Sequence, residues 1–317
     1  MSITPFNFDS EWKYTVLGSH DFQPRLPDFS FTGIVLPYGP RYFQIQAAER
    51  LLHLGAGEVL LFMESDGVWQ AEDTSGLGVR FIRPDRPMTH PELLNLAMNE
   101  ARGEWALVLY DNMEVLDPFP PQKLLKNDKS QTPLVWLPEL KDTAGVEFPS
   151  LIVPLRKGSI LQFQHLLPRD ELLESLIPHN LSGLYRPSTF FQTGGFDSAF
   201  PGGFWQKMDW GFRIHLWGES IRHLKGFRIQ YTSQPPPEDM SPRSGYGRFF
   251  LKNIAPRFLS DHAQLATRHF WTYLLGSGLS PFKAWKEFRR IQDWVEKHKY
   301  RFRTDAQGLK DLWGSWK

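Results

Sequence analysis

The sequence predicts an α/β protein built on a mostly parallel central sheet with helices on both faces. Three observations predict it. Short, almost purely apolar runs recur: FTGIVLP at 31–37, EVLLFM at 58–63 and WALVLY at 105–110. Strands apolar on both sides belong to a sheet that is covered on both sides. Segments with helical spacing alternate with these runs, and Gly or Pro marks the joints.

In chain order, Phe31–Pro37 is a buried strand that stops at its proline. In Arg41–Leu54 the residues Phe43, Ala47, Leu51 and Leu54 share a helical face, and Gly55 ends the helix. Glu58–Met63 is a second buried strand and Val79–Ile82 a short third one. Pro91–Ala101 reads as a helix with proline in its first turn and Gly103 just past its end. Trp105–Tyr110 is a fourth strand. Ser150–Leu155 and Phe227–Thr232 read as later strands, 119–150 as a connecting segment, and the chain from Phe249 as helical. Ser233–Tyr246, rich in Pro, Ser and Gly, reads as a long surface loop of the kind that covers a site. The expected division is an extension (1–30), a main domain (31–253) and a helical C-terminal extension (254–317). Ligands of such sheets bind beyond the carboxyl ends of the strands. That gathers 37–40, 64–67 and 110–114 around one candidate site.

The 317 residues are 41% hydrophobic and 22% charged, the balance of a globular protein. A net charge of +1 gives no electrostatic case for nucleic acid. The chain has no cysteine, which excludes disulfides, thiolate nucleophiles and cysteine zinc sites. No run reaches about 18 apolar residues, so no membrane-spanning helix is expected. The first residues lack a basic stretch followed by an apolar run, so the expectation is a cytoplasmic protein without a secretory signal. Twelve Trp and 15% aromatic residues serve either a filled core or platforms for sugar rings.

Several segments, in this order, carry a resemblance: FTGIVLPYGP (31–40), EVLLFMESDG (58–67), VRFIRPDRPMTHPELLNLAMNEARGEWALVLYDNMEVLDP (79–118), GGFD (194–197) and MDWGFRIHLWG (208–218). Together they resemble the family 2 glycosyltransferases of the GT-A type, nucleotide-diphospho-sugar transferases. The resemblance implies a Rossmann-like GT-A sheet and an inverting transfer of sugar from a nucleotide sugar to a glycan or lipid-linked acceptor, as in cell-surface glycan biosynthesis. It implies donor contacts from Pro37, Tyr38, Glu64, Asp66, Asn95, Asp111, Gly194 and Gly195. The alternative is a catalytically inactive glycosyltransferase fold acting as a binding or partner subunit. A nucleotidyltransferase fits less well, because Tyr38-Gly39-Pro40-Arg41 is a poor version of the Gly-rich basic loop it needs.

Sugar transfer needs charge neutralisation at the leaving diphosphate, a general base for the acceptor hydroxyl and a firmly held nucleoside. The family places Asp-x-Asp at the end of the fourth strand to hold Mg²⁺ or Mn²⁺. Here that stretch is Tyr110-Asp111-Asn112-Met113-Glu114. Asp111, Asn112 and Glu114 are therefore either a weakened divalent-metal site or a polar strand end that caps backbone. The family's base is the Asp of Glu-Asp-Val-Asp, and the matching residues are Gln206, Lys207, Met208 and Asp209. Lys207 stands at the base position, where it would serve as a phosphate contact. Asp209 is either a displaced base or a carboxylate at a helix N-terminus. Glu64–Gly67 is either a base-recognising turn or a solvated one. The family's later His is absent: Tyr231, Thr232 and Ser233 stand there, and His215 and His223 are expected in the helix and its exit as surface or packing residues. Residues 281–303 carry eight Lys/Arg against three acids, with apolar positions at 282, 285, 288, 291 and 295. Such a helix either docks on the inner face of a membrane or a protein partner, or packs on its own domain through Trp285, Phe288 and Trp294.

Overall fold

The computed structural model describes residues 12–18, 23, 25–26, 29–64, 78–116, 132–157, 160–169, 174–235, 237 and 245–313. Asp66 and most of the 233–246 loop lie outside them. The chain divides into two compact units, one formed by 1–151, 165–195 and 221–238, the other by 152–164, 196–220 and 239–317.

The strands are β1 (Tyr14–Leu17), β2 (Phe31–Leu36), β3 (Glu58–Phe62), β4 (Val79–Pro84), β5 (Trp105–Tyr110), β6 (Met113–Leu116), β7 (Val135–Lys141), β8 (Leu151–Lys157), β9 (Ile160–Leu166), β10 (Gly183–Tyr185), β11 (Ile221–Tyr231), β12 (Arg257–Leu259) and β13 (His262–Gln264). The helices are α1 (Arg41–His53), α2 (His90–Glu100), α3 (Pro187–Gln192), α4 (Gly202–Leu216), α5 (Tyr246–Phe249, running into a π turn over Phe250–Ile254), α6 (His269–Ser277), α7 (Pro281–His298) and α8 (Ala306–Trp313).

The first unit is a sheet in the order β1-β4-β3-β2-β5-β10-β7-β11-β6. Among the described residues six strands (β2, β3, β4, β5, β7, β11) run one way, and β1, β10 and β6 run the other. The chain steps from β2 through α1 to β3 in one direction, then from β4 through α2 back past both to β5. Right-handed crossovers therefore place α1 and α2 on opposite faces. Thr89 starts α2 with a capping box: its hydroxyl accepts from the Glu92 N–H, and Glu92 accepts from the Thr89 N–H.

At the amino ends of these strands, the buried carboxylate of Glu58 bonds Arg80 (3.0 Å), the Thr32 hydroxyl (3.0 Å) and the Arg102 N–H (3.0 Å). The Gly103 N–H donates to Thr32 Oγ1. A Cβ at Gly103 would stand 2.5 Å from the Thr32 nitrogen and 2.7 Å from the Phe31 backbone. That is why the Ala-Arg-Gly-Glu stretch needs its glycine. Gly103→Ala is expected to cost about 3 kcal/mol by forcing backbone apart, read as a lower urea midpoint at constant slope.

Several expectations need correction. The stretch 119–150 is not all connector, because β7 lies inside the sheet. Its sequence VWLPELK hides this, since proline disfavours a central strand. The ladder accommodates Pro138: β10 pairs only as far as Trp136, and β11 shifts register between His223 and Arg228, opposite Leu137 and Glu139. Residues 183–185, only three long, form β10 between β5 and β7. His223 lies buried in β11 rather than at a helix exit. The 1–30 segment also contributes β1, antiparallel to β4.

The second unit is built on α4, in which every residue from Phe204 to Leu216 is buried. Trp205 packs on Phe249 and Phe204 on Phe163. Leu251, Tyr273, Ala284, Phe288, Ile291 and Val295 form a cluster that holds α6 and α7. The C-terminal region, expected as all helix, also contains the β12–β13 hairpin. Asp209 does not begin the helix. Gly202 and Gly203 look like loop residues, yet Gly202, at φ 75°, starts α4, and Asp209 lies at its centre.

Two buried histidines make stability depend on pH. Burial, reinforced by Arg301, Arg213 and Lys297, pulls His298 down to about 4. Burial also lowers His223, which has no hydrogen-bond partner on either ring nitrogen among the described residues. Each takes up a proton in the unfolded chain near pH 6.5 but in the folded chain only at lower pH. The unfolded state therefore binds more protons between these values, and stability present above pH 6.5 is lost as the pH falls toward 4. For His298 the loss is on the order of 2 kcal/mol after allowance for solvent screening. Urea midpoints at pH 7.5 and 4.5 are expected to differ accordingly, and less in His298→Leu.

Candidate functional site

β2 and β5 lie side by side at the point where the strand order reverses, and their register sets Leu36 beside Tyr110. A crevice opens at such a switch point beyond the carboxyl ends of the strands. Both chains turn just past this pair, which brings 37–39 against 111–112. Asp111 is buried, and its carboxylate accepts from the Tyr38 N–H (3.0 Å) and the Gly39 N–H (2.9 and 3.1 Å). Hydrogen bonds to an ionised acceptor are the strong kind, so one side chain fixes the turn that leads into α1.

The fixed turn presents Tyr38, whose ring is 44% exposed and stands edge-on to Tyr110 at 6.4 Å. Below it, the Pro37 carbonyl accepts from His90 Nε2 (2.9 Å), and the Tyr110 hydroxyl lies 3.1 Å from His90 Nδ1. A carbonyl only accepts, so Nε2 carries the proton and Nδ1 accepts from Tyr110. Burial pushes the Tyr110 phenol well above its ordinary value, which keeps it a donor. Asn112 ties the exit of β11 to the same place. Its Nδ2 donates to Ser233 Oγ and the Gln234 carbonyl (both 3.1 Å), and its main-chain carbonyl accepts from the Thr232 N–H (2.8 Å).

The structure thus gathers Pro37, Tyr38, Asp111 and Asn112. Glu64 is exposed just beyond β3. Asn95 is buried under the 194–195 turn, where a Cβ at Gly195 would come within 2.5 Å of its Oδ1. Gly194 and Gly195 hold φ of 84° and 57°, the left-handed region that glycine enters without strain. Glu114, opposite Gln230 on β6, lines a separate cleft of about 330 Å³ with Arg50 and His53, which Asp111 and Asn112 do not line.

Asp111, Asn112 and Glu114 do not form one divalent-cation site among themselves. Mg²⁺ needs only one or two carboxylates beside waters and substrate phosphates, but those groups must converge on one point. Asp111 spends both oxygens on the Tyr38 and Gly39 amides, Asn112 offers one neutral oxygen, and Glu114 lines another cleft. Among the described residues no group of three His, Cys, Asp or Glu is placed to hold a metal.

In the second unit, Asp209 is closed to solvent and both of its oxygens are hydrogen-bonded. It accepts from Arg213 (2.9 Å), Lys252 (3.0 Å) and Asn253 Nδ2 (2.8 Å). Lys252 also bonds Asp197 at 2.8 Å and lies 4.5 Å above the Trp294 ring. Burial pushes the Asp197 carboxyl up, but Lys252 and Arg248 outweigh it and hold the group well below the usual carboxylate range. Lys207 is buried on α4.

Sequence reading missed His90, Lys252 and Asn253. A histidine beside the Pro91 that opens α2 was the only signal for the first. Nothing local marks the others as partners of a residue more than forty positions earlier.

No family model matches the chain, and no curated protein matches its sequence. Among solved structures, GalNAc-T7 with UDP, GalNAc and Mn²⁺ superposes with a TM-score of 0.57 at 11% identity, over 90% of this chain and 56% of that one. The fold is that of the GT-A glycosyltransferases. The chain spans little more than half the length of this neighbour. S. aureus TarS also matches, with a TM-score of 0.47 at 12% identity over 91% of this chain and 46% of that one. TarS 1-349 in complex with UDP-GlcNAc gives 0.45 at 13% identity, over 91% and 76%. No helix among the described residues is long and apolar enough to cross a membrane.

Proposed function

We propose that the chain is a glycosyltransferase that seats a nucleotide-sugar donor at the β2–β5 switch point and passes its sugar to a glycan or lipid-linked acceptor. One observation carries the reading: an exposed tyrosine on a turn pinned by a buried carboxylate, at the place where an α/β sheet opens a crevice. The Tyr38 ring is free to lie against a nucleobase, and exposed Glu64 stands at the neighbouring strand end to accept from the base. Asp66 belongs to the same proposed contact. Asn95, Gly194 and Gly195, which lie together, remain proposed donor contacts. UDP is the first donor nucleotide to test, because the structure of similar fold holds it.

Two of the residues expected to do chemistry take other roles in this reading. Asp209, closed to solvent, holds α4 to the π turn that follows α5. Lys207, buried, supports the same helix. No step is routed through a metal. The division into a 1–30 extension, a 31–253 transferase domain and a 254–317 extension remains our proposal for the organisation of the chain.

The test is calorimetric titration with UDP, GDP and dTDP and their sugars, with Mn²⁺ and with a chelator. UDP is expected to bind, and chelation to change its affinity less than threefold. Tyr38→Ala is expected to weaken UDP binding by about tenfold, the worth of one base-stacking aromatic, with little loss of stability. Absence of binding by every nucleotide would instead favour a non-catalytic partner subunit.

A further inference from the structure

The outer face of the α6–α7 hairpin carries large apolar side chains that its own unit leaves uncovered. Trp271 is 66% exposed, Leu275 88% and Phe282 78%, and Leu279 and Trp285 are also exposed. Trp271 and Leu275 are one turn apart on the face of α6 away from buried Tyr273; on α7 Phe282 lies away from buried Ala284, and half-exposed Trp285 flanks the buried face, stacked on Phe288 at 6.1 Å. Leu275, Leu279 and Phe282 fall within eight positions around the turn. Phe270 joins the two helices' aromatics, meeting Trp271 at 5.4 Å and Trp285 at 5.0 Å. The apolar strip is therefore continuous and held in place.

The charge around it is mostly of one sign. From 268 to 293 the chain has five Lys/Arg (Arg268, Lys283, Lys286, Arg289, Arg290) and two acids, Glu287 and Asp293. All five cations are exposed, while Glu287 is turned inward to pair with Arg248 and Asp293 is exposed 4.0 Å from Arg289. Arg289 lies over the Trp285 ring at 5.9 Å. Aromatic and leucine side chains inside a rim of basic residues match the boundary between acyl chains and anionic headgroups. A second copy of the hairpin would set five cations against five with Asp293 the one exposed acid of this stretch on each, so the charge favours a lipid surface over self-association.

We infer that this hairpin docks the protein on anionic bilayers, with Leu275, Leu279 and Phe282 entering the headgroup region and the five basic residues meeting lipid phosphates. The inference stands apart from the proposed donor site and does not depend on it. The experiment is flotation of the full chain with vesicles of phosphatidylcholine alone or with 30% phosphatidylglycerol, alongside Leu275→Asp/Phe282→Asp and Lys283→Glu/Lys286→Glu. Both apolar positions are exposed, so the first variant is expected to melt like the parent, as circular dichroism will show. The parent is expected to float with the anionic vesicles and at least tenfold less with neutral ones, and to be released by 0.5 M salt. Each variant is expected to bind at least tenfold more weakly. Failure of the parent to float, equal binding to neutral vesicles, or unchanged binding by both variants would overturn the inference. So would light scattering that shows a dimer in the parent and a monomer in Leu275→Asp/Phe282→Asp, which would assign the face to a second copy.

Discussion

Asp209→Ala is expected to destabilise the chain by about 4 kcal/mol or more, enough to unfold its second unit under mild denaturant. The carboxylate is closed to solvent and holds Arg213, Lys252 and Asn253. Removing it leaves two buried cations, Arg213 and Lys252, with less compensation than before. Lys252 keeps Asp197 and the Trp294 ring, while Arg213 remains close to the Trp217 ring at 5.8 Å. The loss is therefore one of uncompensated charge more than of one attraction. Combining Lys252→Met with Asp209→Ala is expected to cost less than the sum of the two single variants, because the Lys252–Asp209 bond is lost only once. Urea unfolding of the two single variants and the pair measures this. A near-zero coupling would show that Lys252 does not feel Asp209. The result also bears on function. If Asp209 were a general base facing an acceptor, Asp209→Asn would abolish transfer while leaving the melting temperature unchanged. Here the melting temperature is expected to fall as well.

Asp111→Ala is expected to lower UDP affinity by about a hundredfold and stability by about 3 kcal/mol. Three hydrogen bonds to one charged acceptor are lost, and two N–H groups at the mouth of the crevice lose their partner. The Pro37-Tyr38-Gly39 turn then has no fixed conformation in which to meet a base. Asp111→Asn keeps one acceptor oxygen and is expected to fall between parent and alanine in both measurements. A metal ligand would behave differently: its loss would show mainly as a changed response to Mn²⁺. Titration of UDP into the three proteins, with and without the ion, separates the two roles.

The parts of this structure that were legible in the sequence are those fixed by local pattern. β2, β3 and β5 are read as runs apolar on both faces because the sheet buries both faces. α2 is read from Pro91 and Gly103. The parts that were not legible depend on distant partners. β7 tolerates Pro138 because β11 shifts register beside it, and nothing within VWLPELK announces that. β10 is three residues long, too short for a period to show. The site divides in the same way. Tyr38 and Asp111 were found from their place at strand ends, but Asp111 as the clamp on a turn 72 positions earlier depends on the fold. Asp209 was placed at a helix start because the matching residue of the resembled family begins its helix; here the helix begins seven residues earlier, at Gly202. Its partners, Lys252 and Asn253, come to it only through the packing of the second unit.

The most direct test of the donor site is a crystal structure of the protein with UDP. The uracil is expected against the Tyr38 ring at the β2–β5 switch point, with the Asp111 carboxylate still bonded to the Tyr38 and Gly39 amides. UDP seated elsewhere, or a cation held by Asp111 with that turn released, would contradict the account.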